Sequence, residues 1–119
     1  MSKVLVVDDN EDILSVISMI LDLEGFEVKC CTDGHGISET ISAFSPDVIL
    51  LDIMLGDMDG REVCRELKSN PKTGNIPIIM ISASHNLFEN KANDCQADDF
   101  IAKPFDIDNL AQKVRQQIN

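Results

Sequence analysis

The sequence lacks tryptophan and tyrosine and has only 5 phenylalanines, so its core must be built largely from aliphatic side chains. It contains no Cys-x-x-Cys pair and no His-Glu-x-x-His motif, which argues against the common zinc and thiol-redox patterns. Basic residues are also scarce: 10 Lys and Arg stand against 21 Asp and Glu, a net charge of −11. This charge repels phosphates and anionic lipid headgroups, so we expect no nucleic acid or membrane binding by this domain.

No apolar run approaches membrane-spanning length, and the apolar run near the N-terminus is too short for a signal-peptide core. We therefore expect a cytoplasmic protein whose cysteines remain free thiols and serve mainly in packing. The four are Cys30, Cys31, Cys64 and Cys95. Cys30 and Cys31 are adjacent in a predicted strand, so their side chains point to opposite faces. The chain length, 119 residues, predicts one domain spanning 1–119.

Five short apolar runs alternate with helical patterns along the chain. The predicted strands are Val4–Val7, Phe26–Cys31, Val48–Leu51, Ile76–Ile81 and Phe100–Ala102. Apolar residues at helical spacing predict helices within 13–21, 37–44, 63–67 and 107–118, and a weaker one within 85–96. Gly25 is expected just past the first helix and Asp106 at the N-cap of the last. This alternation predicts a flavodoxin-like α/β fold, a five-stranded parallel sheet of order 2-1-3-4-5 with helices on both faces.

Polar side chains follow four of these strands at their carboxyl ends. They are Asp8, Asp9, Asp52, Ser82 and Lys103. Because those ends share one edge of a parallel sheet, we expect the five side chains to converge. Three neighbouring carboxylates repel one another, and a hard cation such as Mg²⁺, which prefers oxygen ligands, relieves that repulsion. Cation, ammonium and hydroxyl together form a cage for a tetrahedral phosphate, and Asp52 is the predicted covalent acceptor.

Each residue taken alone has a simpler explanation. Asp8 or Asp9 is a candidate cap for the following helix, Ser82 a turn residue, and Lys103 a solvated surface lysine. Asp59-Gly60 by itself indicates only a turn. Only their joint placement at strand ends predicts a site.

The sequence resembles the response regulator receiver domain of two-component signalling over essentially its whole length. The matching segments are VLVVDDNEDI, VILLDIML with the following MDG, IPIIMISA and DDFIAKPF. The resemblance implies that Asp52 accepts a phosphoryl group from a phosphohistidine on a sensor histidine kinase or a histidine phosphotransfer protein. It also implies direct Mg²⁺ binding by Asp9, Asp52 and the Met54 carbonyl, with Asp8 acting largely through water.

The resemblance further implies that Lys103 contacts the phosphoryl oxygens and forms a cis peptide bond with Pro104. Ser82 and Phe100 take the positions of the hydroxyl and aromatic switch residues. The implied function is a phosphoacceptor switch that catalyses only its own phosphorylation and dephosphorylation, and so is not an enzyme acting on other substrates. Its output is a conformational shift of the 82–119 face toward a downstream protein target or a fused output domain.

Several residues depart from the usual receiver pattern. Ser82 replaces the commoner Thr, and Phe100 lacks the hydroxyl of the commoner Tyr. Gly56 and Asp57 stand where proline and glycine are frequent, which predicts a looser loop after Asp52. Gln96 occupies a position often held by glycine.

Three other classes share part of the pattern. A haloacid dehalogenase type phosphatase needs a second acid where this chain has Met54. A flavin module needs a phosphate loop, but the first strand is followed by the acidic DDNED, residues 8–12. A calcium-binding loop would occupy residues 55–66, but its first position, which should hold a ligand, is Leu55, so we regard this match as a coincidence.

Overall fold

Five parallel strands form one sheet within the computed structural model, which describes residues 2–82 and 95–118. The strands are β1 (Lys3–Val7), β2 (Glu27–Cys31), β3 (Val48–Asp52), β6 (Ile78–Ser82) and β7 (Asp99–Ala102). A two-stranded hairpin, β4 (Met54–Leu55) with β5 (Met58–Asp59), follows β3. The helices in the described residues are α1 (Glu11–Leu23), α2 (Ile37–Phe44), α3 (Gly60–Ser69) and α4 (Ile107–Ile118). The strand order β2-β1-β3-β6-β7 confirms the predicted order of the five strands.

The sheet separates two apolar cores, as the uninterrupted strand sequences predict. All five residues of β3 are buried, because both faces of this central strand are covered. On one face, Val4 and Leu50 pack with the buried sides of α1 and α4. On the other face, Leu5 and Leu51 pack with α2 and α3. The predicted flavodoxin-like sheet with helices on both faces is thereby confirmed. In the described parts of the chain, no helix is long and apolar enough to cross a bilayer.

β1 and β7 begin one residue earlier than predicted, and two other strands begin later. β6 begins at Ile78 rather than Ile76, because Pro77 has no N–H for the ladder and contributes only its carbonyl, which accepts from Ile49. β2 begins at Glu27, because Phe26 completes the turn that follows α1, in which its N–H donates to the Leu21 carbonyl. The helix predicted within 85–96 lies mostly outside the described residues.

The ends of the helices correct one prediction and confirm two. Asn10, and neither Asp8 nor Asp9, caps α1: its side-chain oxygen accepts from the N–H groups of Asp12 at 2.9 Å and Ile13 at 3.2 Å. Gly25 lies just past α1 with φ +92°, the left-handed conformation that glycine favours after a helix. Asp106 accepts from the N–H of Asp108 at 2.9 Å at the start of α4, as an N-cap does.

The cysteines occupy different environments. Cys30 is exposed on the edge strand β2, so the prediction that it serves in packing is wrong. Cys31 is half-buried on the opposite face, which confirms that the two adjacent thiols diverge. Cys64 and Cys95 are fully buried.

Candidate functional site

Three aspartates meet at the carboxyl edge of the sheet. Asp8 and Asp9 follow β1, and Asp52 ends the neighbouring strand β3. One carboxylate oxygen from each of the three lies within 4.8 Å of the others. Asp8 is 0% and Asp52 3% exposed, whereas Asp9 is open to solvent. The predicted convergence of these acids is therefore present, with one of the three facing water.

Lys103 reaches into this group from the end of β7. Its Nζ lies 3.0 Å from Asp8 Oδ2 and 3.0 Å from Asp52 Oδ2. Its backbone N–H donates to the Ser82 carbonyl at 2.8 Å, which fixes the base of the side chain against the adjoining strand. Lys103 is thus buried for most of its length, and its peptide bond with Pro104 is cis, as the resemblance implies.

Backbone amides orient the second oxygen of each buried carboxylate. Asp8 Oδ1 accepts from the N–H of Asn10 at 2.9 Å, and Asp52 Oδ1 accepts from the N–H of Met54 at 3.2 Å. Each buried carboxylate therefore has one oxygen on a backbone amide and the other on Lys103. This also explains why Asp8 does not cap α1, since both of its oxygens are already engaged.

Gly60 is a supporting residue that sequence reasoning interpreted only as part of a turn. A Cβ at this position would lie 2.0 Å from the Asp52 carbonyl oxygen, which is far inside van der Waals contact. Its N–H donates to the Ile53 carbonyl at 2.7 Å. The first turn of α3 can approach the chain after Asp52 this closely only because residue 60 has no side chain. The available signal was a glycine directly after the helix cap Asp59.

The electrostatics of the group favour an added cation. Burial and the charge of Asp8 together outweigh the lowering effect of Lys103, and the pKa of Asp52 is raised to about 6. Burial opposes the charge on Lys103, but the hydrogen bonds and charges of Asp8 and Asp52 raise the pKa of Lys103 above its ordinary value. Three carboxylates and one ammonium leave two negative charges in excess, and one bound divalent cation would neutralise them.

The donor set fits magnesium. Mg²⁺ prefers carboxylate and carbonyl oxygens in octahedral geometry and keeps several waters, and it dehydrates reluctantly. The carboxylate cluster of Asp8, Asp9 and Asp52 offers such oxygens, with Asp9 on the solvent side. These residues are suited to hold a divalent cation at the edge of the sheet.

Ser82 ends β6, the strand between β3 and β7, and Phe100 lies on β7, the strand that Lys103 follows. Ser82 is the last residue of β6, 1% exposed, and directly follows Ile81, which pairs with Asp52. Phe100 in β7 pairs with Met80 and packs against the α2–α3 side of the sheet. Met54 is 65% exposed, and its backbone N–H donates to Asp52, so its place in the site is through its backbone.

Two departures from the receiver pattern have structural explanations. Gly56, with φ +64°, forms a two-residue turn with Asp57 in the β4–β5 hairpin, so this loop is tight rather than loose. Gln96 adopts φ +62°, the left-handed conformation that explains why glycine suits its position.

The same region argues against a calcium-binding loop. The Asp59 carboxylate accepts from the backbone N–H of Arg61 at 2.9 Å and forms an ion pair with its guanidinium at 2.6 Å. The Arg61 hydrogen bonds keep the pKa of Asp59 below its ordinary value.

A five-stranded parallel sheet with helices on both faces and an acid cluster at its carboxyl edge defines a flavodoxin-like α/β domain, and comparison with known proteins identifies the family. The family model for the response regulator receiver domain matches residues 4–115. The chain is 33% identical over 116 residues to the DNA-binding dual master transcriptional regulator RpaA of Synechocystis sp., covering 97% of this chain and 48% of that protein.

Solved structures agree. The receiver domain of NtrX from Brucella abortus is 32% identical with a TM-score of 0.86, and the match covers 97% of each chain. A CheY-like receiver domain protein from Methanospirillum hungatei is 26% identical with a TM-score of 0.89, covering 99% of this chain and 94% of that one. The chain therefore belongs to the response regulator receiver domain family. It spans about half the length of the curated relative that it matches.

Proposed function

We propose that this domain is a phosphoacceptor switch of a two-component phosphorelay, in which Asp52 receives a phosphoryl group from a phosphohistidine. The donor is a sensor histidine kinase or a histidine phosphotransfer protein. The observation that carries the proposal is the Lys103 ammonium 3.0 Å from both Asp8 and Asp52, beside a carboxylate cluster suited to a divalent cation. Two buried carboxylates on one lysine are a costly arrangement for stability alone, because each charge loses its hydration.

Asp52 acts as the nucleophile in this reaction. One of its carboxylate oxygens attacks phosphorus, the new O–P bond forms, and the P–N bond to the donor histidine breaks with its electron pair returning to the imidazole. Lys103 contacts the phosphoryl oxygens and offsets their negative charge. When bound by Asp9, Asp52 and the Met54 carbonyl, with Asp8 acting through water, Mg²⁺ supplies further charge neutralisation. The residues work by positioning and electrostatics, which is what phosphoryl transfer requires.

The proposed response is a population shift within the 82–119 face. The Ser82 hydroxyl at the end of β6 moves toward the phosphoryl group, and the Phe100 side chain on the adjoining strand changes its packing. Ser82 and Lys103 are already joined through their backbones, so movement at one strand end reaches the other. Because Phe100 has no hydroxyl, its part of the switch is a change in packing alone.

The output belongs outside this domain. The net charge of −11 disfavours direct contact with DNA, so we assign the output to a downstream protein or a fused output domain. We also propose a cytoplasmic location, where phosphohistidine donors act, and no activity on external substrates.

The direct test uses acetyl phosphate with Mg²⁺ and intact-protein mass spectrometry. Wild type is expected to gain one phosphoryl group and Asp52→Asn none, and chelation of Mg²⁺ should abolish the gain. The matched control is Asp22→Asn, which removes an exposed aspartate of α1 and should label like wild type. Labelling that persists in Asp52→Asn, or is absent from folded wild type, refutes the proposal.

A further inference from the structure

A second group of reactive side chains lies on the α3 side of the sheet, where the proposed phosphoryl chemistry makes no use of it. Cys64 on α3 and Cys95, in the turn before β7, are both 0% exposed. The Cys64 thiol donates to the Cys95 carbonyl oxygen at 3.3 Å, which places the side chain of Cys64 directly against residue 95. Both are in the reduced, thiol form in this structure.

Hydrogen bonds and an ion pair between other residues hold α3 against the turn that carries Cys95. Lys68, one turn along α3 from Cys64, donates to Asp98 Oδ2 at 2.6 Å and to the Ile76 carbonyl at 2.9 Å. Asp98 also accepts from the N–H of Ile78 at 2.9 Å, so the turn that carries Cys95 is fastened to both α3 and β6. These contacts hold Cys64 on the helix and Cys95 in the turn next to each other.

The chemistry of the pair favours thiol–disulfide exchange. The hydrogen bond from Cys64 lowers the pKa of Cys95 below its ordinary value, against the effect of burial. The same bond and burial raise the pKa of Cys64. One thiol is therefore prepared to ionise while the other keeps its proton, and the thiolate is the species that attacks a disulfide.

We propose that Cys64 and Cys95 form a reversible intramolecular disulfide by exchange with a small disulfide of the glutathione type. Cys95 attacks one sulfur of that disulfide, a mixed disulfide forms, and one small thiol leaves. Cys64 loses its proton to water and attacks the Cys95 sulfur, which closes the protein disulfide and releases the second small thiol. The protein loses two protons and two electrons, and the small disulfide takes them up to become two thiols. This modification site is independent of phosphorylation at Asp52.

The link has two measurable consequences. It closes a loop between positions 31 residues apart, which should raise the melting temperature by roughly 10 °C. It should also form more slowly than the reaction of the exposed Cys30, because both thiols are buried and must be reached through local opening of the turn. Once formed, it ties α3 to the segment that leads into β7 and Phe100.

Peptide mapping of the full chain tests the proposal. The protein is incubated with oxidised glutathione under native conditions until Cys30 is glutathionylated, which proves that the reagent is active. Free thiols are then alkylated in denaturant and the chain is digested with trypsin. The expected product joins residues 62–65 to residues 92–113 through a disulfide. If Cys64 and Cys95 are alkylated, or each carries glutathione separately, after prolonged incubation, the proposal is wrong.

Melting curves provide the second measurement. Oxidised Cys30→Ser, which keeps the buried pair and cannot link chains through residue 30, should melt at the higher temperature, and a dithiol reductant should reverse the rise. Cys64→Ala should show no rise on oxidation. If Cys64→Ala does not fold, the wild-type peptide map and the reversible rise in Cys30→Ser still decide the question, and a Cys30→Ser chain with no rise contradicts the cross-link.

Discussion

Replacing Asp52 by asparagine should stabilise the metal-free protein, although it removes an ion pair. Burial and the charge of Asp8 outweigh the attraction of Lys103, so the pKa of Asp52 rises from the ordinary 3.8 to about 6. Above pH 6 the folded protein must hold a charge that it disfavours. The difference between the two pKa values corresponds to about 3 kcal/mol of lost stability. This figure is a net effect, since it already includes the stabilising contacts with Lys103.

The sign of the pH dependence follows from which state holds the proton. Between about pH 4 and pH 6 the unfolded chain has released the Asp52 proton while the folded protein still keeps it. Stability contributed by the protonated carboxyl is therefore fully present below pH 4 and is lost as the pH rises through about 6. The advantage of Asp52→Asn should be about 3 kcal/mol near pH 7.5 and should shrink toward zero near pH 4.

Urea unfolding followed by circular dichroism at the two pH values, with a chelator present, measures this difference. Tryptophan fluorescence is no option, because the chain has no tryptophan. Asp22→Asn, an exposed control, should change the free energy of unfolding by less than about 0.5 kcal/mol. Added Mg²⁺ should stabilise wild type by about 2.7 kcal/mol at one hundred times its dissociation constant, and Asp52→Asn by much less. A destabilised Asp52→Asn, or a gain that does not change with pH, refutes the reasoning.

Three further substitutions test the surroundings of the site. Gly60→Ala places a Cβ against the Asp52 carbonyl and should lower stability by more than about 2 kcal/mol. Gly25→Ala, with open space but a positive φ, should cost only about 1 kcal/mol, and equal losses measured in urea would contradict the steric account. Lys103→Met leaves two buried carboxylates without their cation, so it should lower the free energy of unfolding by about 3 kcal/mol near pH 7.5. It should also slow labelling by acetyl phosphate at least about tenfold. If both values are unchanged, the lysine is dispensable. Lys68→Met should lower the urea midpoint by the equivalent of more than about 1 kcal/mol, because Asp98 loses a partly buried partner. Arg115→Gln removes the more exposed ion pair with Glu24 and should shift the midpoint by less than half as much.

The fold was readable from the sequence because its strands are buried on both faces. An uninterrupted run such as Val48–Leu51 has no polar side that faces water, so it predicts a parallel strand between helices without knowledge of its neighbours. Strand order and the common edge then follow from the alternation with helices. The convergence of Asp52 and Lys103 was predictable for the same reason, since both directly follow strands.

Details that depend on competition between nearby groups were not readable. Asp8, Asp9 and Asn10 are all good N-caps by residue type, and the choice of Asn10 is settled only because Lys103 and a backbone amide occupy Asp8. The close approach of Gly60 to Asp52 depends on how the β4–β5 hairpin returns the chain.

The meeting of Cys64 with Cys95 was equally hidden. The two residues are 31 positions apart, and no spacing rule links them. Their contact depends on how α3 packs against the turn before β7, a tertiary arrangement that neither local pattern records.

Chemical trapping of the phosphorylated residue tests the central claim most directly. Wild type treated with acetyl phosphate and Mg²⁺ is reduced with borohydride, which converts an aspartyl phosphate to homoserine, and is then sequenced by tandem mass spectrometry. We predict homoserine at position 52 and at no other aspartate. Homoserine at Asp8 or Asp9, or a labelled protein with an unmodified Asp52, would contradict the account.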